Sequence, residues 1–183
     1  MPAPEITFEL LDGTQAAPHA DELQALAAEV YADAPYRQDP AQAGRLRVQR
    51  RQPGFALAEA RHGEYLVGYA LGMPLRPSTS WWRYLTAPLP AEETTEHPGR
   101  TFALAELLVR APWRRQGIGR DLHDLLLAGR TEERATAAVR PAAGPAQGAF
   151  QSWGWRKVAR TQDPEPGSPV LDVLIRPLPA GRS

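Results

Sequence analysis

Apolar and polar residues recur along the first half of this chain at spacings that predict an ordered succession of strands and helices. The run 7–11 predicts a short first strand, and apolar residues at helical spacing over 23–30 predict the first helix. A second, basic helix is expected from 39 to about 52, because an aspartate followed by a proline is typical of a helix start. Two apolar runs, 55–60 and 65–71, flank a polar turn and predict an antiparallel hairpin.

The second half of the chain predicts a strand–helix–strand unit. An apolar run at 102–109 is the strongest strand in the sequence, and a polar loop separates it from a helix that starts near 118. A further strand at 135–139 should lie parallel to the first, because right-handed crossovers connect such pairs. A short helix and two more strands are predicted at 145–153, 155–159 and 170–175. This order predicts a mixed α/β fold in one domain over 1–176, with 177–183 as a tail.

Composition narrows the class of protein. The chain has 183 residues, of which 43% are apolar, enough to form a core. Its 21 basic and 21 acidic residues leave no net charge, which argues against a nucleic-acid partner. The chain has no cysteine, so a disulfide framework, a thiolate metal site and a cysteine nucleophile are excluded, and we expect no metal. The first residues lack the features of a signal peptide and no window reaches the roughly 18 apolar residues of a membrane helix. We therefore expect a cytoplasmic protein with no membrane partner.

A basic, glycine-containing loop carries the most specific chemistry in the sequence. The hexapeptide R-R-Q-G-I-G at 114–119 connects the strand at 102–109 to the following helix. The unpaired N–H groups of a helix's first turn and the helix dipole favour an anion there, and Gly117 and Gly119 let a phosphate approach the backbone closely. No acidic residue lies within the loop. Four arginines surround it: Arg110, Arg114, Arg115 and Arg120. The loop therefore predicts a pyrophosphate site.

The order of residues in this loop favours one class of ligand. Arg120 stands where a Walker loop has its lysine, and Leu122 stands where a Rossmann fingerprint has its third glycine or alanine, so both nucleotide motifs fit poorly. The order R-x-x-G-x-G between a strand and a helix resembles the acyl-CoA loop of the GNAT N-acetyltransferase superfamily, written (Q/R)-x-x-G-x-(G/A). The chain matches it at Arg114, Gly117 and Gly119.

The resemblance extends over nearly the whole chain. In that family the loop joins the fourth strand to the third helix, in a fold of hairpins preceded by two helices, and this chain has that order. The segment 150–155 also resembles the family's Tyr-x-x-x-Gly-(Phe/Tyr) sequence. The resemblance implies a GNAT-like fold, with a central, mostly antiparallel sheet, a parallel βαβ core at strands 4 and 5, and flanking helices. The alanine- and arginine-rich composition hints at a bacterial source.

The resemblance also implies an activity, that of an acyltransferase with acetyl-CoA as co-substrate. We expect transfer of the acetyl group to a primary amine of a small molecule, directly in a ternary complex, because no cysteinyl acyl-enzyme can form without cysteine. The cofactor-binding residues that the resemblance implies lie in the strand and the loop: Leu107, Leu108, Val109, Arg114, Arg115, Gln116, Gly117, Ile118, Gly119 and Arg120.

Glu106 is the first candidate for the catalytic base that takes the amine's proton. A lysine-like amine has a pKa of about 10.4 and is mostly protonated near neutral pH, so a base or a water relay is needed. Glu106 interrupts an otherwise apolar strand, where a carboxylate is costly to bury unless it is paired or used. A structural ion pair with an arginine is the alternative. Other acids lie in the connection after the hairpin, at Glu92, Glu93 and Glu96. His97 and His123 are further candidates for the base, but both are expected on the surface.

The chain departs from the family pattern at the group that protonates the leaving thiolate. Many members have a tyrosine seven residues after an asparagine in the last helix, and Phe150 and Ala143 stand at those positions here. A thiol with a pKa near 8.5 can leave as thiolate, and general acid catalysis contributes about 10²–10⁴-fold, so its loss would slow transfer without abolishing it. A tyrosine elsewhere in the chain could also serve. The alternative is a non-catalytic acyl-CoA-binding domain, acting as a sensor or scaffold.

Aromatic residues are predicted to line the acceptor side. The predicted substrate-binding residues are Tyr31, Tyr36, Trp81, Trp82 and Tyr84. With Asp33 and other acids nearby, such a wall would suit a cationic amine. The proline-rich connection 74–100 is predicted to be a lid over this site, because long connections in compact domains are usually functional. In the alternative, its tryptophans cover the sheet or form a homodimer contact. A third hypothesis makes the connection an interaction surface and the arginine loop incidental.

Overall fold

The computed structural model describes residues 5–33 and 45–180. Within them the chain forms seven strands: β1 Ile6–Asp12, β2 Ala56–His62, β3 Tyr65–Pro74, β4 Thr101–Val109, β5 Arg134–Val139, β6 Arg156–Thr161 and β7 Leu171–Pro177. The same residues form six α-helices: α1 Gly13–Ala16, α2 Ala20–Tyr31, α3 Leu46–Gln49, α4 Ala91–Thr94, α5 Ile118–Leu127 and α6 Gly144–Ser152. Among these described helices, none is long and apolar enough to cross a membrane.

The hydrophobic pattern predicted the seven strands and the longer helices α2, α5 and α6, but not the one-turn helices α1 and α4. Each predicted strand and helix in the described residues is found within a few residues of its expected bounds. Of the basic helix expected from 39 to about 52, only α3 lies inside the described residues. The local pattern was sufficient because α2 buries one face, whereas β2 and β3 are buried on both faces and therefore appear as continuous apolar runs.

The strands form a mixed sheet in the order β1-β2-β3-β4-β5-β7-β6. The pairs β1–β2, β2–β3, β5–β7 and β6–β7 are antiparallel, whereas β4 runs parallel to β5 over Thr101–Ala103. The β2–β3 hairpin turns at Gly63, whose φ of 61° lies in the left-handed region that glycine adopts without strain. The predicted fold class, a mostly antiparallel α/β sheet with one parallel pair and flanking helices, is confirmed.

Backbone contacts divide the chain into two compact units. The first consists of the described residues of Met1–Met73 and Leu104–Ala128. Its core joins the apolar face of α2 to strand residues that include Leu11, Leu57 and Leu71. The helical spacing that predicted α2 is therefore the spacing that its burial requires.

Within this first unit, Gly68 permits a close approach of β4 and α5 to β3. A Cβ atom at Gly68 would lie 2.8 Å from the carbonyl oxygen of Leu108 and 3.2 Å from Cδ1 of Leu122. A larger residue would have to displace backbone, so the glycine fixes how the end of β4 is held.

The second unit consists of the described residues of Pro74–Ala103 and Gly129–Ser183. Its apolar core contains Leu75, Trp82, Ala103, Val173 and Ile175. The chain stays packed past β7, because Leu178 is buried and its N–H donates to the carbonyl of Glu133 at 3.0 Å. Ordered structure thus continues beyond the expected start of the tail at 177. The assignment of a single domain over 1–176 stays a prediction.

The proline-rich connection 74–100 is hydrogen-bonded to β6 within the second unit. The N–H of Thr86 donates to the carbonyl of Arg160 at 2.9 Å. Leu85 forms a β-bridge with Thr161 beside it. The connection therefore adds a short strand-like segment to this edge, and its role as a lid stays a prediction.

Candidate active site

A largely buried carboxylate in the first unit is held by two tyrosines. Oε2 of Glu106, on β4, accepts a hydrogen bond from the hydroxyl of Tyr31 at 2.7 Å and a longer one from that of Tyr69 at 3.3 Å. Oε1 accepts no hydrogen bond from the residues that the structure describes. Tyr31 ends α2 and Tyr69 lies inside β3, so three elements meet at this carboxylate. The sequence analysis counted Tyr69 only among the tyrosines that could protonate the leaving thiolate and did not link it to Glu106, because the two residues lie 37 positions apart and no local pattern connects them.

The surroundings of Glu106 make its carboxylate a stronger base than an exposed one. Burial raises the pKa of Glu106, because removal from water disfavours the charged form. The hydroxyls of Tyr31 and Tyr69 and the charge of Arg45 lower this pKa, without cancelling the rise. Burial, and then the nearby Glu106 and Tyr31, raise the pKa of Tyr69 well above its ordinary value. Tyr69 therefore keeps its proton and stays a hydrogen-bond donor.

Two alternatives to Glu106 as the base were a structural ion pair of Glu106 itself and another acid such as Glu96. In the described part of the chain Glu106 forms no ion pair, so the structural arginine partner is not found there. Glu96, by contrast, is committed to a buried network. Its Oε1 accepts hydrogen bonds from Trp82 Nε1 at 3.0 Å, Thr101 Oγ1 at 2.9 Å and Arg134 Nη2 at 3.0 Å.

The two histidines that the sequence placed on the surface have different environments. The side chain of His97 is 56% exposed, as predicted. The prediction for His123 is wrong, because this residue is buried, with Nδ1 2.8 Å from Oδ1 of Asp124. The buried face of α5 is wider than a single stripe of leucines, since His123 lies one turn before Leu127, which is also buried.

The loop before α5 leaves open space at its glycine. Gly117 is the N-cap of α5, with a left-handed φ of 83°, and no side chain caps the helix there. A Cβ atom at Gly117 would meet no atom within 4 Å. The N–H groups of the first turn of a helix have no partner within the helix. An uncapped N-terminus beside an open glycine fits a diphosphate.

Arg115 in the same loop adopts a strained backbone conformation. Its φ of 64° makes it the only non-glycine residue of the described chain in the left-handed region. Such a conformation costs about 1–2 kcal/mol for a residue with a side chain. Strain of this kind is common at functional sites, where the surrounding structure maintains it.

Arg110 points its charge away from the loop. Its Nε donates to the carbonyl of Leu66 at 2.8 Å, and its guanidinium pairs with Glu29. The same guanidinium lies 4.8 Å from the centre of the Tyr65 ring. The sequence analysis counted Arg110 among the charges around the anion, whereas in the structure its guanidinium contacts Leu66, Glu29 and Tyr65.

The other three arginines differ in how far they are engaged. Nε of Arg114 donates to the carbonyl of Val109 at 2.9 Å, and Nε of Arg120 lies 3.7 Å from Oδ2 of Asp124. Arg115 has no hydrogen bond or ion pair with any residue in the described ranges. Its charge is therefore the most available to a ligand.

The remaining predicted cofactor-binding residues shape the loop and the strand before it. Nε2 of Gln116 donates to the carbonyl of Pro112 at 3.3 Å. Ile118 is buried, and Gly119 lies in the first turn of α5. The last three predicted residues end β4: Leu107, Leu108 and Val109.

The positions at which the resemblance expects a tyrosine and an asparagine are part of the core. Phe150 is buried, and its ring centre lies 5.5 Å from that of Trp153 and 5.2 Å from that of Trp155. Ala143 is buried at the start of α6. Neither side chain carries a polar group, so neither can donate a proton.

The predicted acceptor-lining residues lie in different parts of the molecule. Tyr31 contacts the buried carboxylate, and Tyr36 lies outside the described residues. Trp82 is buried in the core of the second unit, which supports the alternative that this tryptophan covers the sheet. Trp81 and Tyr84 are partly buried. The substrate-binding role of these residues stays a prediction.

Comparison with protein families gives one match that covers most of the chain. The model of the acetyltransferase (GNAT) family matches residues 19–155. Among curated proteins, no sequence matches.

Solved structures share the fold over nearly the full length. An acetyltransferase from Thermus thermophilus is 21% identical, with 97% of this chain and 100% of that chain covered and a TM-score of 0.61. Aminoglycoside 6′-acetyltransferase type Ii is 14% identical, with 96% and 99% covered and a TM-score of 0.65. The ribosomal-protein-S18-alanine N-acetyltransferase from Escherichia coli is 12% identical, with 98% and 97% covered and a TM-score of 0.62. At these identities the likeness is one of fold.

Proposed function

The chain belongs to the acetyltransferase (GNAT) family, and on that premise we propose that it is an N-acetyltransferase that moves an acetyl group from acetyl-CoA to a primary amine of a small molecule, directly in a ternary complex. The tyrosine-bonded carboxylate of Glu106 carries this proposal over a role in binding alone. A buried carboxylate with a raised pKa is costly for the fold and is typical of sites that need a base.

The loop before α5 would hold the diphosphate of acetyl-CoA. Three observations support this: the open space at Gly117, the uncapped first turn of α5 and the unpaired charge of Arg115 among the described residues. The rest of 114–120 would complete this site. The backbone of 107–109 would bind the pantetheine arm, as the family resemblance implies.

Glu106 would take the proton that the amine must lose. When bound, acetyl-CoA supplies the acetyl group as a thioester. Oε1 of Glu106 accepts the amine's proton, while Oε2 stays bonded to the hydroxyls of Tyr31 and Tyr69. The pKa of Glu106 is raised and therefore lies nearer the operating pH than that of an exposed glutamate. A base with such a pKa is favoured for general base catalysis.

A second candidate function has its own support. Phe150 and Ala143 supply no proton to the leaving group, which favours a non-catalytic acyl-CoA sensor or scaffold. Glu106 argues against it, because a sensor has no use for a buried base. The enzyme is the better-supported function, with the thiol leaving as thiolate.

The class of acceptor is proposed as a small-molecule amine. The chain carries no net charge that would attract a nucleic acid. Neighbours in fold are named for an aminoglycoside and for the alanine of a ribosomal protein, so the fold alone does not fix the acceptor. A homodimer remains compatible with the exposed edge strand β1 and is a prediction.

The first test is a calorimetric titration of the purified protein with acetyl-CoA. We expect saturable binding, and much weaker binding of acetyl-pantetheine, which lacks the diphosphate. An absence of binding at millimolar acetyl-CoA would refute the proposed function and reduce 114–119 to a structural turn.

The second test separates the enzyme from the sensor. CoA release would be followed with thiol detection in the presence of polyamines, amino acids, aminoglycosides and peptides with free N-termini. Release with a small amine supports the enzyme proposed here. Release with peptides alone would move the acceptor class to proteins. Tight acetyl-CoA binding without release from any amine would favour the sensor.

A further inference from the structure

We infer that Tyr31 and Tyr69 are positioning residues for the base, which hold Glu106 by Oε2 and reserve Oε1 for the proton of the amine. This inference rests on the proposed function, because it assigns a purpose to two hydroxyls only if Glu106 is a base. It adds Tyr69, a residue that touches no substrate, to the residues on which the reaction depends.

Both hydroxyls converge on the same oxygen. Tyr31 of α2 donates to Oε2 of Glu106 at 2.7 Å, and Tyr69 of β3 donates to it at 3.3 Å. Two donors from separate elements fix the plane of the carboxylate and leave little freedom to rotate. In the described residues no donor reaches Oε1, so this oxygen keeps its lone pairs for a reacting group.

The arrangement suits a carboxylate that gains and loses a proton. In the reaction the amine nitrogen uses its electron pair to bond the acyl carbon, the carbon–sulfur bond breaks, and the N–H proton passes to Oε1 of Glu106. A carboxylic acid protonated at Oε1 still has a carbonyl-like oxygen at Oε2 that accepts hydrogen bonds. Tyr31 and Tyr69 therefore keep their bonds in both protonation states, and no rearrangement accompanies proton transfer.

Tyr69 acts only through Glu106. Its side chain is 2% exposed, so it cannot reach a substrate. Burial raises the pKa of its hydroxyl, which excludes it as an acid that gives up a proton near neutral pH. Tyr31 is partly exposed and lies at the end of α2, so its hydroxyl also ties that helix to β4.

Within 5–33 and 45–180, three charged or titratable groups act on the pKa of Glu106. They are Tyr31 of α2, Tyr69 of β3 and Arg45 before α3. Each hydroxyl stabilises the anion, so removing it should move the titration of Glu106 to higher pH. Because the reaction requires the carboxylate anion, the pH at which the rate of CoA release increases should move upward by the same amount.

The experiment compares Tyr31→Phe, Tyr69→Phe and the double variant with a matched control, Tyr65→Phe. Tyr65 lies on the same strand as Tyr69, is 50% exposed, and its hydroxyl makes no contact with Glu106. The carboxyl of Glu106 is titrated by ¹³C NMR in the full chain, with Glu106→Gln for assignment. CoA release with the best amine is measured across the same pH range.

In both single variants we expect the titration of Glu106 to move to higher pH. The acid limb of the pH–rate profile for CoA release should move with it. The rate below the limb should fall about tenfold for Tyr31→Phe, less for Tyr69→Phe and most for the double variant, with little change on the plateau. Tyr65→Phe should match the wild type. A merely structural hydroxyl would lower thermal stability without moving the limb.

Three results would overturn the inference. One is an unmoved Glu106 titration in Tyr31→Phe, a variant that tests it even if Tyr69→Phe does not fold. Another is an equal movement in Tyr65→Phe. The third is a moved titration with an unmoved acid limb, which would remove Glu106 as the base while acetyl-CoA binding and CoA release still supported the proposed function. Failure of the proposed function itself would appear separately, as the absence of acetyl-CoA binding.

Discussion

At the scale of single residues, Glu106 is a position where stability and the proposed function oppose each other. Its folded-state pKa is raised, chiefly by burial. A group of this kind contributes stability below its unfolded pKa, and the contribution is lost as the pH rises through the folded pKa. Ionisation of this carboxylate, which the proposed base catalysis requires, therefore lowers the free energy of unfolding relative to that with an exposed glutamate.

The variant Glu106→Gln should separate the two effects. We expect CoA release to fall by about 10²–10⁴-fold, because the variant lacks the proposed general base, with an unchanged affinity for acetyl-CoA. Its thermal midpoint relative to the wild type should rise as the pH increases above the ordinary glutamate pKa of 4.5, because only the wild type ionises the buried group. Glu9→Gln, at an exposed position of β1, is the control and should change neither quantity. A constant difference in midpoint across these pH values would contradict a raised pKa.

Arg115 presents the same conflict through its backbone. Glycine would relax the φ of 64°, so Arg115→Gly should leave the free energy of unfolding equal or raise it by about 1 kcal/mol. The variant should bind acetyl-CoA about tenfold more weakly, with a smaller dependence on salt, because one cation is lost from the diphosphate site. Calorimetry and urea unfolding measure the two effects. Arg156→Ala, on the exposed face of β6, should retain wild-type affinity; equal losses in the two variants would indicate an effect of net charge alone.

At the scale of elements, the junction between the loop and α5 is the proposed anion site. Gly117→Glu should abolish acetyl-CoA binding, because it places a side chain and a negative charge at the N-terminus of the helix. Gly63→Glu is a matched control, since Gly63 also has a positive φ and open space but lies in the β2–β3 turn. Both variants incur backbone strain, and only the first should lose binding in calorimetry. Wild-type affinity in Gly117→Glu would show that the diphosphate lies elsewhere.

At the scale of the whole molecule, acetyl-CoA should stabilise the folded chain. A ligand that binds only the folded state adds about 2.7 kcal/mol at a hundredfold excess over its Kd. We expect the thermal midpoint to rise with acetyl-CoA, by less at high salt, because the contacts to the diphosphate are electrostatic. Scanning calorimetry measures this rise. Acetyl-pantetheine should give a smaller one, and an equal rise with both ligands would contradict a site built on the diphosphate.

Much of the fold could be predicted from the sequence, since its signals are local. The spacing of Leu23, Leu26 and Val30 marks the buried face of α2 because a helix turns every 3.6 residues whatever its neighbours. The pattern was less informative where a buried face is wide or polar. His123 was misplaced for this reason, as a histidine beside a leucine stripe carries no sign of its own burial.

The candidate site could be predicted only where its residues adjoin in the chain. The loop before α5 is one stretch, so its glycines and arginines could be recognised together, and Glu106 stood out in an apolar strand. Which arginine is available to a ligand could not be predicted from the sequence, because Arg110 forms an ion pair with Glu29, 81 residues away. The burial of Trp82 could not be predicted either, because it depends on distant residues such as Arg134, whose guanidinium lies 5.2 Å from the indole ring.

The sequence by itself determined the succession of strands and longer helices, the fold class and the position of the loop proposed to bind the anion, because periodicity, turn residues and the start of a helix act over a few neighbouring residues. Only the tertiary structure decided what surrounds Glu106. Tyr31 lies 75 residues before it and Tyr69 lies 37 residues before it, and their hydroxyls meet one carboxylate oxygen through the packing of α2 and β3 against β4. Burial and hydrogen bonding set the pKa of an acid, and both are properties of the packed chain.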